Sequence, residues 1–176
     1  GLARHPSLTH DGLVLILCHE LGHHLGGAPK NLRGNSEKRS WSSAEGQADY
    51  FATSKCLPTL YEKASYIFKY YGNAKLGKCE NELCDIVSLA ALSVGRVFAG
   101  LRTDWHEPKL ELKDQTKVFK TLYKHPNPQC RVDTYLAGFN CSKKKEIPFD
   151  DIDYEIGSCV NKNALNASRP QCWFNS

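Results

Sequence analysis

Three residues in the first quarter of the chain have types and spacing that suit metal chemistry: His19, Glu20 and His23 form an HExxH pattern. Side chains four residues apart project from the same face of a helix, so the two histidines can reach one metal ion through neutral ring nitrogens at ~2.0–2.1 Å. Glu20 then lies beside the metal, where it can take a proton from zinc-bound water. The alternative is a helix that merely carries three histidines. We expect one Zn²⁺ per chain, with Glu20 as the catalytic base.

A third ligand is needed, and it does not follow directly in the sequence. Gly26 extends the pattern toward HExxHxxGxxH, but position 29 is Pro29. That kind of site also requires a methionine turn, and the chain has no methionine. The third-histidine site is therefore excluded.

A carboxylate in the stretch SSAEGQADYFAT, residues 42–53, is the other source of a ligand. Glu45 lies 22 positions after His23, which is enough chain to turn back antiparallel, and two histidines with one glutamate are a known zinc ligand set. Asp49, four residues later, can accept a hydrogen bond from the far nitrogen of a ligating histidine. The competing interpretation makes Ser42-x-x-Glu45 a helix capping box.

Three motifs in this order resemble the gluzincin metallopeptidases of the HtpX and CAAX-prenyl-protease type: HExxH, then ExxAD at 45–49, then His125-Pro126 followed by Arg131. The resemblance covers about residues 9–138. It implies a zinc endopeptidase that hydrolyses peptide bonds, and its motifs correspond to the following roles: His19, His23 and Glu45 as ligands, Glu20 as base, Asp49 as the partner of a ligating histidine, His125 near the metal, and Arg131 as support for the substrate or the oxyanion.

His125 has a second interpretation that the residues alone leave open. Pro126 and Pro128 bar a helix across the motif and favour a fixed loop. The histidine could then cap the helix that starts near Pro128. If the resemblance holds, it either donates a hydrogen bond to the oxyanion or occupies the open metal position.

The rest of the sequence predicts a mainly α fold with little β. The resemblance implies a zincin-like helical domain in which a second helix carries the third ligand. Thr9 or Asp11 can cap a helix in which Leu13, Leu17 and Leu21 recur at near-helical spacing, and Gly26-Gly27 should end that helix. We expect a polar loop at 28–41 and further helices at about 43–56 (ended by Pro58), 59–71, 81–102 and from 128. Residues 1–176 should form one domain, with a core at 9–138 and an irregular, disulfide-tied tail at 139–176.

Composition indicates the compartment and excludes some partners. Eight cysteines without CxxC pairs favour disulfides in an oxidising compartment, that is the periplasm, the cell surface or outside the cell. On a helix, Cys130 and Cys141 would lie on the order of 16 Å apart, too far to pair with each other. The net charge of +4 is spread along the chain, which does not suit nucleic acid. No apolar run reaches the ~20 residues of a transmembrane helix.

The chain begins at Gly1 and lacks methionine, so we expect a processed or trimmed piece. The resemblance implies that a preceding segment completes the edge that binds a peptide or protein substrate. The alternative function is a silent or latent zinc domain that binds an envelope partner. In that case His125 or a cysteine fills the fourth metal position; Cys18 is adjacent to the motif, although a disulfide is the expected role for it.

Overall fold

The computed structural model describes residues 1–34, 38–71, 79, 81–160 and 166–175, and it is mainly helical as predicted. Its five α-helices are α1 (His10–Leu25), α2 (Glu45–Phe51), α3 (Leu57–Tyr71), α4 (Glu82–Ala99) and α5 (Pro128–Asn140). A π-helical segment, Ala52–Cys56, joins α2 to α3, and short 3-10 helices lie at Leu2–Arg4 and Ser142–Lys144. Within the described residues, no helix is both long and apolar enough to cross a membrane.

Helix α1 begins and ends where the sequence predicts. Thr9 caps it, since its Oγ1 accepts a hydrogen bond of 3.0 Å from the Gly12 N–H, and the helix stops before Gly26. The leucines whose spacing predicted this helix do not form its buried face. Leu17 and Leu21 are 59% and 49% exposed. The buried face is formed by Gly12, Leu15, Cys18, His19 and Gly22.

The second helix differs from its prediction at both ends. It begins at Glu45, with Ala44 as an N-cap that makes no side-chain hydrogen bond, so the capping-box interpretation of Ser42 is wrong. Nor does Pro58 end the helical path. The chain passes through a π-helical turn, in which the Leu57 N–H bonds to Ala52 O, and Pro58 then lies in the first turn of α3. A proline is tolerated in the first turn of an α-helix, and here the first turn of α3 directly follows the π-helical turn.

The loop predicted at 28–41 contains a short antiparallel hairpin, β1 (Lys30–Leu32) and β2 (Arg39–Ser43); residues 35–37 at its turn lie outside the described residues. The hairpin is held to the tail by a buried lysine. Lys30 Nζ donates to Trp41 O at 3.0 Å and lies 2.7 Å from an Asp151 carboxylate oxygen. The two strands were not predicted because residues 28–41 are mostly polar and lack the alternating apolar pattern of a strand.

The core lies where α1, the π-helical segment, α4 and α5 meet. Helix α4 is capped by Asn81, whose side chain accepts from the Cys84 N–H at 2.9 Å. The main buried cluster consists of Leu15, Cys18, Ala52, Leu57, Ile86, Val87, Ala90, Ala91, Val94, Val132 and Tyr135. Packing of α1 and α5 against α4 brings the first and last thirds of the chain together.

Four disulfides are present, Cys18–Cys56, Cys79–Cys84, Cys130–Cys172 and Cys141–Cys159. As predicted, Cys130 and Cys141 have different partners, and Cys18 is in a disulfide rather than at a metal. The tail after α5 is irregular in its described part apart from Ser142–Lys144. It packs Trp173, which is fully buried, against Gly46 at the start of α2. The disulfide-tied tail is therefore confirmed, and it braces the helix that carries Glu45.

Candidate metal centre

Helices α1 and α2 bring the predicted ligands together. His19 Nε2 lies 3.3 Å from Glu45 Oε2, and His23 Nε2 lies 3.7 Å from Glu45 Oε1. Potential ligand atoms of His19, His23 and Glu45 all lie within 4.8 Å of one another. This approach is allowed by Gly22, because a Cβ there would lie 2.7 Å from Ala48 O. The three side chains could therefore hold a metal ion.

In both histidines, Nδ1 points away from Glu45 and has a hydrogen-bond partner. The Nε2 atoms are the ones that face Glu45. His23 Nδ1 lies 2.9 Å from the carbonyl oxygen of Ser43, which can only accept, so Nδ1 carries the proton. His19 Nδ1 lies 2.7 Å from Asp49 Oδ1. In a neutral ring the proton on Nδ1 makes Nε2 the acceptor, and this orientation is the one that metal-binding histidines adopt.

Glu45 Oε2 is one of four buried polar side-chain atoms among the described residues that make no hydrogen bond. Imidazole nitrogens of His19 and His125 lie 3.3 and 3.2 Å away from it. Buried carboxylate oxygens are normally hydrogen-bonded. A buried oxygen without a hydrogen bond and surrounded by imidazole nitrogens fits a bound cation, so the residues present suit a metal.

A buried ion pair supports His19 from behind. Arg131 donates from Nε to Asp49 Oδ2 at 2.8 Å and from Nη2 to Asp49 Oδ1 at 2.6 Å, which makes the ion pair bidentate. Burial would raise the pKa of Asp49, but Arg131 and His19 hold it well below its usual range. Burial would likewise lower the pKa of His19, but the Asp49 carboxylate outweighs it and raises the pKa to about 9 in the metal-free site. Asp49 is therefore a carboxylate that orients His19.

The position of Arg131 corrects one expectation. The resemblance implied a residue that supports the substrate or the oxyanion, but the side chain is 1% exposed and lies behind Asp49. Its guanidinium also stacks on Phe98, 4.0 Å from the ring centre, and lies 3.3 Å from the Tyr135 hydroxyl. In this position it cannot touch a substrate.

His125 lies at the front of the site, on the loop before α5. Its Nε2 is 3.2 Å from Glu45 Oε2, and its side chain is 52% exposed. The alternative role as a helix cap is wrong, because Asn127 caps α5 by accepting from the Cys130 N–H at 3.0 Å. Phe98 lies beside the imidazole, with ring centres 5.9 Å apart. The histidine therefore projects toward the ligands from the solvent side.

Glu20 lies on the exposed side of α1, next in sequence to His19 as the motif requires. His24 is also exposed, and its ring stacks on that of Trp41 with centres 4.6 Å apart. His24 therefore lies on the surface of α1 and not among the ligands.

A second group of potential ligands, Asp114, Cys130 and Cys172, lies close together. The two cysteines form a disulfide, so neither sulfur is the thiolate that binds metal. This group is not a metal site.

Sequence reasoning missed the Ser43 carbonyl and the two aromatic neighbours, Phe98 and Tyr135. Every residue has a backbone carbonyl, so the identity of residue 43 does not indicate its contact with His23. Both aromatic residues sit in apolar helix patterns that are equally typical of a core.

No family model, curated protein or solved structure matches this chain. The resemblance to gluzincin metallopeptidases therefore rests on the three motifs, and it remains a prediction.

Proposed function

We propose that the protein is a zinc-dependent metalloendopeptidase with a zincin-like catalytic core. The observation that supports this most is the meeting of His19, His23 and Glu45, with Glu45 Oε2 buried and without a hydrogen bond. Four disulfides suit an oxidising compartment, and we place the protein in the periplasm or outside the cell.

The donor set favours zinc. Two imidazoles and one carboxylate are the ligands of a catalytic zinc site with one open position. Bonds of ~2.0–2.1 Å in a tetrahedron place neighbouring ligand atoms about 3.3 Å apart. The distances of 3.3 Å from Glu45 Oε2 to His19 Nε2 and of 3.7 Å from Glu45 Oε1 to His23 Nε2 are close to this spacing.

When bound, zinc would polarise the scissile carbonyl and acidify a water molecule. Glu20 is the base in this proposal: it accepts the proton of the attacking water and then delivers it to the leaving amine. Asp49 and the Ser43 carbonyl hold His19 and His23 in the ligating tautomer. The exposed position of Glu20 leaves room for a peptide beside it.

His125 has two roles that its geometry supports. As a donor from Nε2 it would stabilise the oxyanion, a contact whose loss typically costs ~10²–10³-fold in rate. The alternative function is a latent or silent zinc domain, in which His125 fills the open position and the domain binds an envelope partner. The observation in its favour is the 3.2 Å distance to Glu45 Oε2, as short as that of His19.

The test combines metal content with two substitutions. The purified chain should contain about one zinc and cleave casein, and Glu20→Gln should keep the zinc and lose cleavage because only the proton acceptor has changed. His125→Ala, with zinc retained, should lower activity if the histidine is a donor and raise it if it blocks the site. A chain without metal, or a Glu20→Gln variant as active as the wild type, would refute the peptidase mechanism.

A further inference from the structure

The exposed leucines of α1 share a surface with the proposed base. Leu17 and Leu21 are 59% and 49% exposed, and they lie three residues before Glu20 and His24, respectively. Residues three and four apart are neighbours on a helix surface. The four side chains therefore form one continuous strip of α1, apolar along one side and carrying Glu20 on the other.

Trp41 extends this strip from the hairpin. Its indole stacks on the His24 imidazole, with ring centres 4.6 Å apart and planes inclined by 29°, yet 59% of the side chain stays exposed. Its backbone is held by Lys30, whose Nζ bonds to Trp41 O and lies 2.7 Å from Asp151. An aromatic ring that is both held and exposed is ready to bind without losing much conformational freedom.

The same two elements carry the metal-site contacts. His24 directly follows His23 on α1, and Ser43, two residues after Trp41 on β2, accepts from His23 Nδ1 at 2.9 Å. The exposed aromatic surface is thus carried by the same two elements, α1 and β2, as the contacts of the candidate centre. This shared location distinguishes Trp41 from other large apolar residues on the surface, which are common singly and imply nothing.

We propose that Trp41, His24 and Leu21 form a subsite for an apolar side chain, aromatic in preference, of a peptide that lies across Glu20. The inference rests on the proposed peptidase function. Offset or edge-on stacking against Trp41 favours an aromatic ring over a methyl group, and Leu21 adds apolar contact beside it. The subsite therefore selects the residue near the scissile bond.

A cleavage experiment tests the selectivity. Pairs of fluorogenic peptides that differ only in Phe or Ala at one position near the cleaved bond give a ratio of kcat/KM values. We expect the ratio to favour Phe and to fall on the order of tenfold in Trp41→Ala, with Trp41→Phe keeping most of it. Trp105→Ala is the matched control, because that indole packs against Arg102 and not on α1. A ratio unchanged in Trp41→Ala would overturn the subsite and leave the peptidase proposal standing.

A binding experiment decides the case in which no cleavage is seen. The Glu20→Gln protein, incubated with Zn²⁺, is titrated with acetyl-Gly-Gly-Phe-Gly-Gly-amide and with the Ala analogue, and the indole N–H signal of Trp41 is followed by NMR. The signal is assigned by its loss in Trp41→Phe. The Phe peptide should shift it at several-fold lower concentration than the Ala peptide. A signal unmoved at millimolar Phe peptide refutes the subsite, whereas a shift without cleavage by the wild type refutes only the peptidase function.

Discussion

The carboxylate of Glu45 faces the imidazole nitrogens of three histidines from two parts of the chain. His19 and His23 approach it from α1 and His125 from the loop before α5, at 3.3, 3.7 and 3.2 Å. In the metal-free site, the His19 imidazole and these neighbours lower the pKa of Glu45, against the effect of burial, which raises it. A charged carboxylate with no hydrogen bond to Oε2 is a strong ligand for a divalent cation.

Glu45→Gln should therefore weaken zinc binding by at least about a hundredfold, more than the ~10–100-fold typical of losing a partner behind a ligand. The amide is nearly the same size but is neutral and a poorer ligand. Competition with a chromophoric chelator gives the affinity. Glu107→Gln is the control, because Glu107 is exposed and only faces Arg96; equal losses in the two variants would contradict the ligand assignment.

The raised pKa of His19 makes the metal-free protein sensitive to alkaline pH. Burial lowers this pKa, but Asp49 raises it to about 9, above the ordinary 6.5. The folded state therefore holds a proton that the unfolded chain releases, and this contribution is complete below pH 6.5 and lost as the pH rises through 9. Urea unfolding in chelator should show stability declining from pH 6.5 to 9.

Two changes should remove that decline. In Asp49→Asn the partner of the His19 proton is gone, and with bound zinc the ligating imidazole is neutral throughout. If the metal-free wild type is as stable at pH 9 as at pH 6.5, the proposed charge pair is absent.

At the scale of elements, the separation of α1 and α2 sets the ligand distances. The helices touch at Gly22, where a Cβ would lie 2.7 Å from Ala48 O and 2.8 Å from Ala48 Cα. Both contacts are with backbone, so a side chain at this position must push the helices apart. The same displacement would separate Glu45 from the histidines.

Gly22→Ala should lower the free energy of unfolding by about 1–3 kcal/mol, the usual cost of overpacking, and should weaken zinc binding as well. Denaturant titration and metal competition measure the two effects. Gly100→Ala is matched to it, because a Cβ at Gly100 would meet nothing closer than 3.5 Å, and it should stay within about 0.5 kcal/mol of the wild type. A Gly22→Ala variant with normal stability and affinity would show that the close contact is dispensable.

At the scale of the whole molecule, the tail is tied back onto the site. The Cys130–Cys172 disulfide connects α5 to the tail, and the adjacent Trp173 lies fully buried against Gly46, next to Glu45. Arg169, also buried, donates from Nε to Gln47 Oε1 at 2.6 Å. Trp173 and Arg169 in the tail therefore both contact the helix that supplies the carboxylate.

Replacing Cys130 and Cys172 by alanine should destabilise the protein by about 4 kcal/mol, since the disulfide closes a loop of 42 positions. The equivalent change at Cys79 and Cys84, which closes a short loop of separation 5, should cost about 2 kcal/mol. Thermal unfolding compares the two variants. Of these two variants, only the first should also reduce zinc affinity, because Cys130–Cys172 ties the tail beside α2 and Cys79–Cys84 does not involve the tail; equal affinities would show that this tie does not support the site.

The sequence by itself determined the local features. The start and end of α1, the shared face of His19 and His23 and the start of α5 near Pro128 follow from backbone geometry within a few residues. The even cysteine count predicted disulfides, and the distance along α5 excluded one pairing. These predictions needed no knowledge of distant residues.

Only the tertiary structure decided what meets across the fold. It brought Glu45 and His125 to the same point, buried Arg131 behind Asp49 and left Leu17 and Leu21 exposed. The hairpin, the π-helical turn before Pro58 and the pairing of the cysteines were likewise beyond local patterns. Each depends on contacts between residues far apart in the chain, where packing and burial override the preference of a short segment.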